Sequence, residues 1–243
     1  MNTGAWPVAI ENLSVWYDRR RALEEVSVAV APGEIFALVG LNGAGKTTII
    51  KAMLGLIAAT GTVSLCGVDH RDPASRRAIV YLPEKFQPSP LLKGWEFLSL
   101  SLSCFKMPLD REAALSVANN LEFNVQDLGR RIGTYSKGMM QKVGLMAALL
   151  VQRPLVILDE PTSGLDPQAR HLLKNALRAY TQSGGTVFFS SHILADVDEI
   201  CQRMAVIHEG RLRFLGTPEA LKSVHSGQTL ERAFLAEIGN DGE

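Results

Sequence analysis

A glycine-rich segment at residues 40–47 carries the clearest chemical signal in the sequence. It reads GLNGAGKT, with a short apolar run before it and a helical pattern after it. Glycines in this pattern let backbone N–H groups turn toward an anion, and the N-terminus of the following helix adds partial positive charge. Lys46 supplies a point charge for phosphates, and the Thr47 hydroxyl is a ligand for Mg²⁺. The segment predicts a nucleotide-phosphate site formed by Asn42, Gly43, Ala44, Gly45, Lys46, Thr47 and Thr48.

Two adjacent carboxylates form a second chemical signal. Asp159 and Glu160 directly follow the apolar run LVIL at residues 155–158. An apolar strand that ends in carboxylates places them at the carboxyl edge of a sheet, where open α/β folds bind ligands. Asp159 is then a candidate for holding Mg²⁺, and Glu160 is a candidate for polarising an attacking water.

The elements around these residues alternate between strand and helix patterns. The predicted strands cover residues 8–17, 23–30, 35–39, 62–66, 78–82, 155–158, 186–190, 204–208 and 211–215. The predicted helices cover residues 47–57, 93–105, 111–121, 137–151, 167–182 and 193–201. The alternation in the last third predicts a parallel sheet with crossover helices, interrupted by a mostly helical middle.

Composition narrows the class of protein. The chain has 243 residues, 25 Lys and Arg against 25 Asp and Glu, and 47% hydrophobic residues, which excludes disordered and collagen-like classes. Its three cysteines lack any CxxC pairing, so neither a disulfide framework nor a zinc site is expected. The balanced charge gives no case for a nucleic-acid partner. With no run of about 18 apolar residues and no signal-peptide pattern, we expect a cytoplasmic chain without a membrane span.

Three further motifs give a family resemblance. The segment TYSKGMMQ at residues 134–141 resembles the signature motif of the ATP-binding cassette (ABC) family, SGLD at residues 163–166 resembles its D-loop, and SSH at residues 190–192 resembles its switch histidine. The chain therefore resembles the nucleotide-binding subunit of an ABC transporter. Its segments YSKGM (residues 135–139) and YLPE (residues 81–84) resemble the variants found in ABC-2-type exporters.

The resemblance implies roles for five more residues. Ser136 and Gly138 would bind a phosphate of the ATP held by another protomer, Asp166 would lie in the loop that crosses the dimer interface, and His192 would contact the γ-phosphate. Tyr17 stands where the family has an aromatic residue that stacks on adenine. Each residue also has a plainer interpretation: a serine N-cap, a turn and helix start, a structural histidine, and a core aromatic.

Glu84 is the main departure from the family pattern. The segment YLPE at residues 81–84 carries a carboxylate where the family usually has a glutamine that reaches toward Mg²⁺ and the γ-phosphate. A carboxylate binds Mg²⁺ more strongly than an amide but repels phosphate. We therefore expect Glu84 to be a metal ligand and the Glu84→Gln variant to retain hydrolysis.

The resemblance also implies a fold, partners and an activity. The expected fold is an α/β P-loop NTPase core with a parallel sheet and flanking helices. This core, with an N-terminal antiparallel β-subdomain, covers residues 1–84 and 154–216. A helical subdomain insert covers residues 85–153, and a helical tail covers residues 217–243. Two copies, or this chain and a homologous ABC subunit, would enclose two Mg-ATP and drive export by a transmembrane permease that docks between Glu84 and Phe97, on the cytoplasmic face of the membrane. The alternatives are a soluble ABC ATPase acting on nucleic acid or the ribosome, and a non-hydrolysing regulatory cassette.

Overall fold

A computed structural model describes residues 6–227 and 229–239. In chain order, the strands in those ranges are β1 (Val8–Tyr17), β2 (Arg20–Val30), β3 (Ile35–Val39), β4 (Thr60–Leu65), β5 (Val68–Asp69), β6 (Ile79–Leu82), β7 (Leu155–Leu158), β8 (Thr186–Ser191), β9 (Arg203–His208) and β10 (Arg211–Gly216). The α-helices are α1 (Lys46–Met53), α2 (Gly94–Ser103), α3 (Arg111–Asn120), α4 (Lys137–Leu150), α5 (Pro167–Gln182), α6 (Leu194–Ile200), α7 (Pro218–Val224) and α8 (Leu230–Gly239). Short 3₁₀ helices cover Pro73–Ala78, Val125–Gly129 and Ile132–Thr134.

The central sheet brings the chemical segments to one edge. Its strand order is β10-β9-β3-β8-β7-β6, and all neighbours are parallel except β10 and β9. The last residue of β3 pairs with the last residue of β8, and the last residues of β6 and β7 pair with each other. Because these four strands run in the same direction, the segments that follow them leave the sheet at the same edge. The predicted parallel sheet and α/β class are confirmed.

Strand β3 is buried on both faces and joins two hydrophobic cores. Ile35, Ala37 and Val39 pack with the helices on one face, while Phe36 and Leu38 pack with α1 and the antiparallel sheet on the other. Since side chains alternate along a strand, a five-residue apolar run serves both cores at once. This packing fixes the strand from which the phosphate segment emerges.

A second, antiparallel sheet has the strand order β2-β1-β4-β5. Strand β2 also contacts the turn between β9 and β10, because the backbone N–H of Glu24 donates to the carbonyl of Gly210 at 2.9 Å. The turn joining β1 to β2 lies between Tyr17 and Arg20, which pair across the hairpin. The second sheet therefore holds the end of β1 beside the central sheet.

Helices α2, α3 and α4 lie between β6 and β7 in the chain. Helix α4 packs closely on the end of β6: a Cβ atom added to Gly144 would lie 2.9 Å from the side chains of Leu82 and Phe86. Helix α4 also contacts the segment after β7, since Gln141 Nε2 donates to the carbonyl of Pro161 at 3.1 Å. These contacts connect the helical part to two of the four segments at the sheet edge.

Several element boundaries differ from the sequence prediction. The helix expected at residues 47–57 ends at Met53, because Gly55 takes a left-handed φ of 65° and closes the helix with turn hydrogen bonds. Strand β2 begins at Arg20 rather than residue 23, since pairing with β1 extends it toward the turn. In the predicted helical tail, the structure has α7 and α8. Across the described ranges, no helix is long and apolar enough to cross a membrane.

Candidate nucleotide site

The phosphate segment has the strand–loop–helix context that its sequence predicts. It connects β3 to α1, and two of its glycines are required by their surroundings. Gly45 has a φ of 113°, and a Cβ atom added to Gly40 would lie 2.5 Å from the carbonyl oxygen of Ile207. A side chain at either position would force the loop away from the sheet.

Lys46 is buried at the start of α1. Its ammonium group donates to the carbonyl of Gly40 at 2.7 Å and to that of Leu41 at 3.2 Å. Its Nζ atom also lies 3.1 Å from Glu160 Oε1, although this contact lacks hydrogen-bond geometry. A buried ammonium group needs such partners, and these hold its charge beside the loop.

A chain of hydrogen bonds joins α1, β7 and β8 at the sheet edge. The Thr47 hydroxyl donates to Asp159 Oδ2 at 3.0 Å, and the Ser190 hydroxyl donates to Asp159 Oδ1 at 2.6 Å. Ser190 in turn accepts from the backbone N–H of Glu160 at 2.8 Å. Ser190 is fully buried and was missed by the sequence analysis, which assigned only His192 of the SSH segment. The sequence pattern that could have indicated Ser190 was a hydroxyl residue at the end of an apolar strand.

Glu160 is held between two basic side chains. Its Oε1 faces Lys46, and its Oε2 lies 2.8 Å from His192 Nδ1. A carboxylate only accepts, so this contact requires a proton on Nδ1 of the histidine. Glu160 also takes a left-handed φ of 49°, a backbone strain often found at functional sites. The carboxylate is buried and aimed by its neighbours rather than free in solvent.

These residues surround a cavity of about 470 Å³, called here the nucleotide cavity. It brings together the predicted residues Asn42, Gly43, Gly45, Lys46, Thr47, Thr48, Glu84, Glu160 and His192. Leu41, Lys85 and Ser163 also line it, and the sequence analysis did not single them out. Ala44 is buried in the loop, and Asp159 stands behind Thr47 through their hydrogen bond.

Glu84 lies at the edge of this cavity in the segment that follows β6. It is exposed. Burial, followed by the charges of Asp159 and Glu84, raises the pKa of the Tyr81 hydroxyl to about 12. The carboxylates of Asp159 and Glu84 therefore both affect Tyr81 in β6.

Ser136, Gly138 and Asp166 are not part of the nucleotide cavity. They line a separate cavity of about 310 Å³, called here the signature cavity. Ser136 caps α4 by accepting from the N–H of Met139 at 3.2 Å, and Asp166 caps α5 by accepting from the N–H of Ala169 at 2.8 Å. Within one chain, both residues thus act as ordinary helix caps.

Tyr17 lies at the end of β1 with 49% of its surface exposed. It is not a core aromatic, which was the plainer interpretation. Its hairpin partner strand reaches the phosphate segment, because a Cβ atom on Gly45 would lie 2.7 Å from Leu23 Cδ2 of β2. Tyr17 itself does not line the nucleotide cavity; it lies two residues along β1 from Val15, which pairs with Leu23.

The oxygen donors near the phosphate segment suit Mg²⁺. Thr47 Oγ1 and Asp159 Oδ2 are neighbours, and Glu84 lines the same cavity. The described part of the chain holds no group of three or more His, Cys, Asp or Glu residues that could bind a metal. Mg²⁺ usually takes one or two carboxylates together with substrate phosphates rather than an all-protein cage.

Comparison with known proteins gives a consistent result. A family model described as ABC transporter matches residues 23–163. An ABC transporter ATP-binding protein of Synechocystis sp. is 37% identical over 218 residues, covering 87% of this chain and 62% of that protein. Nod factor export ATP-binding protein I of Burkholderia orbicola is 36% identical over 222 residues, covering 88% of this chain and 72% of that protein.

A solved structure titled as the ATP-binding subunit of an ABC transporter has the same fold. Its TM-score is 0.86 at 31% identity, and the match covers 95% of this chain and 98% of that one. The chain spans less than two thirds of the Synechocystis relative, so that relative has additional sequence. The motifs, the fold and these matches agree, and the chain belongs to the ABC transporter family as a nucleotide-binding subunit.

Proposed function

We propose that the chain binds Mg-ATP in the nucleotide cavity and hydrolyses it. The observation that carries this proposal is Glu160, a buried carboxylate aimed by Lys46 and His192 beside a phosphate-binding loop. A carboxylate in that position can accept a proton from water as the water attacks the terminal phosphate in line. This geometry also favours hydrolysis over the non-hydrolysing regulatory cassette.

The other cavity residues hold the substrate. The N–H groups of residues 42–48 and the Lys46 ammonium bind the phosphates, and Tyr17 stacks on the base. Thr47, Asp159 and Glu84 would hold Mg²⁺, which supplies charge neutralisation at the phosphates when bound. Ser190 positions both Asp159 and Glu160, and His192 keeps the Glu160 carboxylate oriented.

We also propose that two nucleotide-binding subunits complete each site. Ser136, Gly138 and Asp166 line a cavity distinct from the one that holds Lys46, which supports their acting on ATP bound by a second copy or a homologous subunit. The division into a core (residues 1–84 and 154–216), a helical subdomain (85–153) and a tail (217–243) belongs to the same proposal.

An apolar groove supports docking of a transmembrane permease. Its volume is about 410 Å³, and it lies between the end of β6 and the helical part, with Leu82, Phe86, Phe97 and Gly144 in its walls. Leu91, in the chain segment between Phe86 and Phe97, is 72% exposed. Trp95 packs against the helical core, and the Arg111 guanidinium lies 5.1 Å from its ring centroid. The groove would be the contact with the permease at the cytoplasmic face of the membrane.

The proposed transport direction is export. It is supported by the relative named for Nod factor export and by the YLPE and YSKGM variants. The relatives named here are transporter subunits, which supports a transporter over an ATPase acting on nucleic acid or the ribosome.

Hydrolysis and pairing are tested by ATP turnover and by size-exclusion chromatography with and without ATP. We expect Glu160→Gln to lose about 100-fold or more of the turnover, since general-base catalysis contributes about that much, and to form an ATP-dependent dimer. Glu231→Gln, an exposed carboxylate on α8, is the matched control and should behave like the wild type. Unchanged turnover in Glu160→Gln would remove Glu160 as the base.

The docking proposal is tested by co-purification with an integral membrane protein from detergent-solubilised membranes. We expect Leu91→Asp to abolish co-purification, because a charge on this exposed apolar residue of the proposed docking segment opposes apolar contact. Leu235→Asp on α8, which is also exposed, is the control and should retain it. Equal recovery with both variants would place the contact elsewhere.

A further inference from the structure

Lys85 is a charged residue that lines the nucleotide cavity. The proposed function assigns it no role. It lines the cavity together with Lys46, Glu84 and Glu160. It directly follows Glu84, the residue that departs from the family pattern. Among the described residues neither Glu84 nor Lys85 forms an ion pair, so both charges are available to a ligand.

The backbone around Lys85 is fixed on both sides. On one side, the carbonyl of Leu82 accepts from the N–H of Asp159 at 2.9 Å. On the other side, the ring of Phe86 packs edge-on against Phe97 with 5.4 Å between centroids. Only three residues separate these two anchors. The segment therefore holds Lys85 at the cavity, unlike a lysine on a freely moving surface loop.

The charged residues that line the cavity indicate a role for Lys85. Lys46 and Lys85 are its two lysines, and Glu84 and Glu160 are its two carboxylates. Lys46 already faces Glu160 at 3.1 Å, which leaves the charge of Glu84 to be balanced by Lys85. A nucleoside triphosphate is a polyanion, so an unbalanced carboxylate at the cavity would weaken its binding. The neutral glutamine that the family usually has would need no such partner.

We propose that Lys85 binds the triphosphate end of the nucleotide and offsets the charge of Glu84, so that Glu84 and Lys85 together replace one neutral glutamine. This inference rests on the proposed nucleotide site and adds a residue to it. The ligand class is a nucleoside triphosphate rather than a diphosphate, because the triphosphate carries more negative charge and an unbalanced Glu84 would oppose it more strongly.

The test is a double-mutant cycle with Lys85→Met and Glu84→Gln, in which the affinities for ATP and ADP are measured in EDTA. EDTA removes any contribution of Glu84 as a metal ligand. We expect Lys85→Met to weaken ATP binding about tenfold, because a charge-assisted contact is lost and Glu84 is left unbalanced, and to leave ADP binding unchanged. In the Glu84→Gln background, the same change should weaken ATP binding only about threefold, because the contact with phosphate is lost but no carboxylate is left unbalanced.

Two controls separate charge from packing. Lys85→Arg should bind ATP like the wild type, because it keeps the charge. Lys51→Met removes an exposed lysine from α1, outside the cavity, and should change neither affinity. An unchanged ATP affinity in Lys85→Met, an equal loss for ADP, or the same loss in both Glu84 backgrounds would overturn the inference. A wild-type chain that binds neither nucleotide would instead overturn the proposed function.

Discussion

The nucleotide cavity and the signature cavity differ in how their polar groups are held. In the nucleotide cavity, Lys46 and Glu160 are buried, and each contacts side chains or carbonyls from other segments of the same chain. In the signature cavity, Ser136 and Asp166 are exposed, and their hydrogen bonds go to the first turns of their own helices. One region is assembled by tertiary contacts, and the other presents local helix caps to solvent.

This difference matches the different roles that we propose for the two regions. Groups that carry chemistry need fixed positions, and burial with defined partners provides them. Groups that bind a ligand carried by a second subunit must remain accessible until that subunit arrives. Helix α5 links the two regions, because Asp166 is its N-cap and its Lys174 contacts α6, the helix that follows His192.

The largest effect on stability should come from breaking this link. Lys174 Nζ lies 3.3 Å from Asp196 Oδ1 and also contacts Glu199, and Asp196 is only 3% exposed. Lys174→Met should lower the free energy of unfolding by about 3 kcal/mol, because it leaves a buried carboxylate with only Arg170 nearby, at 3.8 Å. Urea unfolding measures the loss.

A surface ion pair that involves α6 provides the control for Lys174→Met. Lys222 contacts Asp198 at 2.6 Å, and Asp198 is exposed. Lys222→Met should cost less than about 1 kcal/mol. If the two variants lose equal stability, the buried pair is no stronger than a surface pair, and the link between the two regions is weak.

Ser190→Ala tests whether the nucleotide cavity depends on its buried hydrogen bonds. The variant leaves Asp159 Oδ1 and the N–H of Glu160 without their shared partner. We expect turnover to fall roughly 10- to 100-fold through misplacement of the carboxylates, together with about 1–3 kcal/mol of stability. Ser191→Ala is the matched control: its buried hydroxyl accepts only from Ile193 N–H, and turnover should fall about threefold or less.

Ser136→Ala tests whether the signature cavity acts on a second subunit rather than on ATP bound by its own chain. In the Glu160→Gln background it should weaken ATP-dependent dimerisation about tenfold, the loss expected for one hydrogen bond to a charged group, while ATP binding by the monomer stays unchanged. Stability should fall by about 1 kcal/mol from the lost cap. Asp110→Ala removes the cap of α3 and is the control, with similar stability loss but intact dimerisation. Equal dimerisation by both variants would make Ser136 a cap and nothing more.

The smallest expected effect concerns pH. A hydrogen bond from Lys174, together with the charges of Lys174 and Arg178, lowers the pKa of Glu199. A lowered folded-state pKa adds stability above the unfolded value, about 4.3, and that stability is lost as the pH falls through the folded value. Glu199→Gln should therefore show a smaller drop in urea midpoint between pH 7 and about pH 3.5 than the wild type. Glu231→Gln should match the wild type, and identical drops in all three proteins would contradict the assignment.

Much of the site could be predicted because its signals are local. The phosphate segment needs particular backbone angles in consecutive residues, and glycines at those positions show in the sequence. Asp159 and Glu160 are marked by the apolar strand before them. Ser190 could not be predicted in the same way, since its role depends on contacts with residues about thirty positions away, across paired strands.

The sequence by itself determined the phosphate loop, the order of strands and helices, the α/β class and the family resemblance, because each depends on residue types at short spacing. Only the tertiary structure decided that Lys46 and His192 both contact Glu160, that Ser190 joins the two carboxylates, and that Lys85 lines the nucleotide cavity. It also separated Ser136 from that cavity within one chain. The physical reason is that strand order, register and the packing of β6 against α4 bring distant segments to one sheet edge, and no short-range pattern encodes those distances.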